Sequence, residues 1–251
     1  TMRCCVHARL LLATLFLLGA ACITPPLTGT AAGNYARFVA AYKAGDHTAA
    51  LRWIELAYRE PGRPDYVDHW YGAMLMRAKR WADAVPVYRG VRPAFQPAQT
   101  AWHLGECLLQ LSHLAEARTA LTAGIGAPDT VDHWRRHLYI KLVEVLDRQG
   151  DLDSVRALEP AATDYVAALT DDLSDFLRYR FARLYLDRAA REATTGTWAA
   201  GEVWFRAGLA AAGRRLGKYA AYLYPEHFVN AWHTRRDMVR ALAAQDRKSG
   251  V

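Results

Sequence analysis

Four small residues recur in this chain at nearly one interval. Ala50, Ala84, Ala117 and Val155 are 34, 33 and 38 residues apart, and each holds the same place in a common pattern. The pattern reads Gly45-Asp46-His47-Thr48-Ala49-Ala50-Leu51, then Lys79-Arg80-Trp81-Ala82-Asp83-Ala84-Val85. It returns as Ser112-His113-Leu114-Ala115-Glu116-Ala117-Arg118 and as Gly150-Asp151-Leu152-Asp153-Ser154-Val155-Arg156. Gly72 and Gly105 stand twelve residues before Ala84 and Ala117. A fixed period of this size marks stacked supersecondary units. Packed helices lie about 8–10 Å apart, and small contact residues allow the short end of that range. The expectation is therefore antiparallel helix pairs, with Gly72 facing Ala84 and Gly105 facing Ala117. Each pair has an apolar face that it cannot bury alone, so neighbouring pairs must stack. Composition agrees: 52% of residues are hydrophobic and 23% charged, which excludes global disorder, and β-branched runs are few.

This frame resembles the tetratricopeptide repeat (TPR), a helix–turn–helix unit of 34 residues. In that family small residues at the eighth and twentieth places bring the two helices together, and a large residue at the twenty-fourth fills the groove between them. Ile54, Tyr88 and Leu121 occupy that last place here. The resemblance covers residues 34–160 and is strongest in the two central units. Phe38 departs from it in the first unit, and Val155 and Glu159 depart in the fourth. It implies an all-α fold: an α-solenoid of about four TPR-like hairpins, with residues 161–251 as a C-terminal helical bundle packed on the array. Helices are expected in that region at Asp172–Ala190, Trp198–Leu216 and Glu226–Gln245, with a short aromatic stretch, KYAAYLYP, before the last.

TPR arrays hold a peptide or a partner helix in a groove lined by the first helix of each pair. Carried over place by place, the groove of this chain is Tyr35, Val39 and Tyr42, then His69, Ala73, Met76 and Arg77. It continues with Trp102, Glu106, Leu109 and Gln110, then His137, Ile140, Glu144 and Arg148. Aromatic and Arg side chains are frequent anchors, which singles out Trp102, Tyr35, His69 and Arg77. The Lys/Asn pattern by which some family members clamp a C-terminal carboxylate is absent.

The heptapeptide PDYVDHW at Pro64 returns as PDTVDHW at Pro128. It reads as a helix-start signal. Asp65 and Asp129 suit the N-cap, while Asp68 and Asp132 add charge favoured in the first turn. In the repeat frame the second copy begins seven residues early, about two helical turns. The first helix of the fourth unit is expected to span Thr130–Arg148, projecting Asp132, His133 and Trp134 beyond the edge. His133 and His137 share a face four residues apart, a spacing that suits two zinc ligands. No HExxH, CxxC or local third ligand accompanies them, so no metal or cofactor is expected.

Ahead of the repeats, residues 2–21 read as an export signal: a short basic leader, then Leu10–Ala21 as an apolar core of twelve residues. A membrane-spanning helix needs about 20 such residues. Leu18-Gly19-Ala20-Ala21-Cys22 resembles the bacterial lipobox, except that Gly19 stands where the family prefers Leu; ordinary cleavage near Ala21 or Ala31 is the alternative. Residues 22–33 then form the lipid-anchor Cys and a Pro/Thr/Gly-rich tether. Ile23 after the Cys resembles an outer-membrane sorting signal, implying a periplasmic protein anchored to the outer membrane.

No GxSxG, Gly-rich phosphate loop or GxGxxG motif is present, so no catalytic residue and no enzyme is expected. Net charge is +7, but the 32 basic residues are scattered, which argues against nucleic acid. The reading is a non-catalytic envelope adaptor or assembly scaffold that binds a protein partner. Two alternatives remain open. One is a polysaccharide- or peptidoglycan-binding protein using Trp198, Trp204, Tyr219, Tyr222, Tyr224, Phe228 and Trp232. The other is an accessory structural subunit of a membrane complex.

Overall fold

The computed structural model describes residues 29–127, 132–167, 169–195, 197–212 and 217–219. The export segment, Cys22, Asp129, Tyr222 and the helix expected at Glu226–Gln245 lie outside them. The described chain is all-helical. In order it forms α1 (Gly29–Lys43), α2 (His47–Tyr58), α3 (Asp65–Arg77), α4 (Trp81–Gly90) and α5 (Pro97–Gln110). These are followed by α6 (Leu114–Ile125), α7 (Asp132–Gln149), α8 (Leu152–Tyr165), α9 (Asp172–Thr194) and α10 (Trp198–Ala212), with a 3₁₀ turn at Gly217–Tyr219. No described helix is long and apolar enough to cross a membrane. The chain divides into two compact units, one ending at Gln96 and one starting at Pro97.

The repeat is written most plainly in the turns within hairpins. Gly45, Lys79, Ser112 and Gly150 all adopt left-handed backbone conformations, with φ of 77°, 58°, 62° and 70°. Each donates its N–H to a carbonyl three residues back: Tyr42, Met76, Leu109 and Asp147, at 3.0, 2.9, 3.0 and 2.9 Å. The following residue donates five back, Asp46 to Ala41, Arg80 to Leu75, His113 to Leu108 and Asp151 to Leu146, at 3.0, 2.9, 2.8 and 3.0 Å. This is the Schellman arrangement, which satisfies carbonyls left orphaned at a helix end. The carbonyls of Asp46, Arg80, His113 and Asp151 then accept from the N–H groups of Ala50, Ala84, Ala117 and Val155. The four recurring small residues are thus locked to four turns of one geometry. Asp46 and Asp151 also cap with their side chains, accepting from Ala49 N at 2.9 Å and Ser154 N at 3.1 Å. Arg80 and His113 make no side-chain cap.

The first unit holds the hairpins α1–α2 and α3–α4. Ala50, Ile54, Ala57, Leu75, Ala84 and Tyr88 are buried between their helices. A Cβ on Gly72 would stand 2.6 Å from Tyr88 Cζ, so the glycine makes room for the ring of the twenty-fourth place, on the helix that also carries buried Ala84. The ring needs the glycine's missing side chain to lie flat across α3.

The second unit holds the hairpins α5–α6, α7–α8 and α9–α10. Gly105 likewise makes room for Leu121, with 2.5 Å from a built Cβ to Leu121 Cδ2. Gly124 repeats the device between hairpins, where a Cβ would meet Ala101 of α5 at 2.6 Å and Leu138 of α7 at 2.9 Å. The last pair closes in the same way, Gly208 against Leu186 at 2.6 Å. The first helices also touch in series, α5 on α7 and α7 on α9. The helices after the fourth unit therefore include a fifth hairpin that continues the stacking of this unit. Pro160 lies inside α8, which runs on to Tyr165. Arg156, whose carbonyl Pro160 leaves without a donor, lies with it on the exposed face, where water can serve.

Two of the expected glycan-facing aromatics are held within this unit. Trp204 lies 5.6 Å from Tyr185 with Arg156 above its ring, and Tyr219 stacks on Tyr179 at 5.7 Å. The side chain of Trp198 is outside the described set. An ionic clasp closes the α8–α9 connection: buried Arg178 bonds Asp175 at 2.9 Å and donates to the carbonyls of Val166 and Leu169.

Candidate partner-binding surfaces

The heptapeptide that recurs in the sequence sets the framework of both surfaces. In its first copy Pro64 is the N-cap and makes no side-chain bond; Asp65 is already the first helical residue. Asp65 is therefore not the cap; it and Asp68 both lie in the first turn and are buried anchors. Asp65 accepts from Arg92 Nε at 2.5 Å, and Asp68 from Arg63 Nε at 2.5 Å, with Arg63 lying 4.0 Å over the Tyr58 ring. Both connections flanking the α3–α4 hairpin are thereby tied to the start of α3. The Trp of the motif does a second job. Trp70 reaches the preceding first helix, 5.6 Å from Phe38 and 5.4 Å from Tyr42 of α1. Trp134, its equivalent in α7, reaches Trp102 of α5 at 5.6 Å. The expected projection of Trp134 past the edge is therefore corrected: it folds back onto the neighbouring helix, and only His133 beside it is exposed. The side chain of Asp132 is outside the described set.

In the first unit, rings from α1 and α3 form a continuous strip. Tyr66 meets Tyr35 at 5.1 Å, Tyr35 meets Phe38 at 5.5 Å, and Phe38 meets Trp70. Tyr42 then leads to His47 at 6.0 Å, whose Nε2 is 2.7 Å from Arg77. Phe38 is buried, while Tyr35, Tyr66 and Trp70 are half-buried and Tyr42 is 36% exposed. Burial pushes the Tyr35 and Tyr66 hydroxyls above their usual pKa, Tyr35 also through its neighbour Tyr66. His47, Thr48, Leu51, Met74, Arg77 and Ala78 line a pocket of about 190 Å³ at the end of the strip. His69 is not on this surface. It is buried, edge-on to Tyr88 at 5.9 Å and Phe95 at 6.0 Å, and burial drives its imidazole down to about 4. Met76 is half-buried and Arg77 exposed.

In the second unit Trp102 is the centre of a cluster with His103 at 4.9 Å, Trp134 and His137 at 5.8 Å. Its indole Nε1 is buried without a hydrogen-bond acceptor among the described residues. His133 lies 4.6 Å from His137. The His137 imidazole is lowered, first by burial and then by His133, Arg136 and Lys141. Among the described residues no group of three metal-ligating side chains gathers here. Polar residues assigned to the groove are committed to one another. Glu106 binds Lys141 at 2.6 Å and accepts from Gln110 at 2.8 Å; Lys141 also reaches Glu144 at 3.2 Å. Arg148 is exposed and caps the end of α5, donating to the Leu109 carbonyl at 3.0 Å and to Ser112 Oγ at 3.3 Å. Nearby Cys107 is buried, and its thiol is pushed up to about 12, which makes it chemically inert.

Of the residues expected from the sequence, then, Tyr35, Tyr42, Met76 and Arg77 gather in one unit, and Trp102, Glu106, Gln110, His137 and Arg148 in the other. Tyr66, Trp70, His103 and Trp134 were not among them. The signal that marks the two Trp residues was the repeated heptapeptide itself.

No family model matches the chain, and no curated protein matches it. A crystal structure of a TPR repeats protein from Bacteroides fragilis is similar at 13% identity and a TM-score of 0.40, over 84% of this chain and 98% of that one. At that degree of likeness the turns and glycine contacts described above, and not the neighbour, carry the assignment of a TPR-like fold.

Proposed function

We propose that this protein is a non-catalytic adaptor of the bacterial envelope, a lipoprotein acylated at Cys22 that binds a protein partner through the faces of its first helices. One observation carries the reading. The contacts that close the hairpins use Gly72, Gly105, Tyr88 and Leu121, whereas the rings of Tyr35, Tyr42, Trp70 and Trp102 lie on the first helices and keep part of their surface open. Such large, half-open aromatic side chains are the residues from which binding hot spots are built. The sequence ahead of α1 supports the location: a short apolar signal, a lipobox-like run ending at Cys22 and an Ile after it.

Two substitutions test the two halves of the reading. Trp102→Ala should remove captured protein from a pull-down in envelope extract while leaving the helical content unchanged; capture at wild-type level would refute the surface. Cys22→Ser should abolish palmitate labelling and release the protein from membranes, and undiminished membrane association would refute the anchor.

A further inference from the structure

We propose that the aromatic strip of the first unit is a track for a proline-rich segment in the polyproline II conformation, followed by an acidic residue that pairs with Arg77. The inference rests on the adaptor reading and names the chemistry of one partner segment.

The spacing supports it. The strip carries two ring pairs, Tyr35 with Tyr66 at 5.1 Å and Tyr42 with Trp70 at 5.4 Å, joined underneath by buried Phe38. Tyr35 and Tyr42 are seven residues apart on α1, about 10 Å at the helical rise. A polyproline II helix repeats every three residues, about 9 Å. Prolines three residues apart therefore meet successive ring pairs. A pyrrolidine ring packs flat on an aromatic face, and the segment is already extended before binding, so little chain entropy is lost. Its carbonyls have no internal partners and need donors, which tyrosine hydroxyls and an indole N–H supply. A partner helix would present a wider apolar face than a strip that narrows to one exposed ring at Tyr42.

Charge gives the track a direction. No carboxylate belongs to the ring ladder, and its far end is the exposed guanidinium of Arg77. Arg77 contacts His47 Nε2 at 2.7 Å and is in no ion pair among the described residues. A carboxylate arriving there gains a charge-assisted bond at no cost to an existing ion pair.

The test is calorimetric titration of the purified full chain with a blocked peptide of six prolines followed by two glutamates. Binding is expected, weakened at least about tenfold when the prolines are replaced by alanines and likewise by Tyr42→Ala or Trp70→Ala. Replacing the glutamates by glutamines should weaken binding to the wild type, and Arg77→Gln should abolish that difference. Tyr42 is the most open ring of the strip, so Tyr42→Ala should keep its circular dichroism spectrum and report on binding alone. Equal binding of the proline and alanine peptides would overturn the proposal. So would indifference to Tyr42→Ala, or binding of a soluble N-acetylglucosamine oligomer in place of the peptide. Trp102 lies in the other unit. Partner capture that depends on Trp102, with no proline-peptide binding, would remove this inference and leave the adaptor reading standing.

Discussion

Gly72 and Tyr88 share one volume: a methyl group on the glycine would stand 2.6 Å from the tyrosine's Cζ and 2.9 Å from its Cε2. Tyr88 is buried to 1% exposure, so its ring has little room to yield. Gly72→Ala should therefore destabilise the chain by about 1–3 kcal/mol, the usual cost of overpacking. Gly90→Ala meets nothing within 4 Å and should change stability by less than about 0.5 kcal/mol. Urea titration of both variants checks this, and adding Tyr88→Leu to Gly72→Ala should recover part of the loss.

The four Schellman turns predict a sign change with residue type. Ser112 holds a left-handed conformation at φ 62° that suits glycine, while Gly150 has it at φ 70° without a side chain. Ser112→Gly should raise stability and Gly150→Ala should lower it, each by about 1 kcal/mol. Thermal melts of the two variants should move in opposite directions.

This turn geometry also shows what was legible in the sequence. The repeat was visible because the left-handed position and the small residue five places on recur together, even where Lys79 and Ser112 replace glycine. The α9–α10 hairpin was not visible as a repeat, because its close approach uses Gly208 against Leu186, outside the frame of Gly72 and Gly105. The groove was legible in part. Positional carry-over found Tyr42, Arg77 and Trp102, which remain open. It also chose His69, whose side chain is buried, and Arg148, which stays exposed while bonded to the end of α5. Periodicity places a residue on a face but does not say whether a neighbouring helix has claimed it.

The buried imidazole of His69 makes stability depend on pH. Its folded value is about 4 against an ordinary 6.5, so between those values the unfolded chain binds a proton that the folded chain does not. The stability involved is complete above pH 6.5 and is lost as pH falls through about 4, on the order of 3 kcal/mol. His137 is lowered as well and adds to the slope in the same direction. Asp68 is raised, chiefly by burial, and opposes it at the acid end. Denaturant titrations at pH 7.5 and pH 5 should show a smaller loss for His69→Gln than for the wild type.

Arg178 neutralises Asp175, and the two side chains are only 6% and 3% exposed. Removing one member of such a pair leaves a buried charge without its counter-ion. Arg178→Met should cost about 3–5 kcal/mol, measured by chemical denaturation, and should loosen the α8–α9 connection that its bonds to Val166 and Leu169 hold.

The central claim is that partners meet the faces of the first helices. A photo-reactive phenylalanine analogue placed at Trp102 in α5, and in a separate strain at exposed Thr119 in α6, tests it inside living cells. Ultraviolet illumination should give discrete protein adducts from position 102 and none from position 119. Adducts from position 119 alone, or an identical pattern from both, would contradict the account.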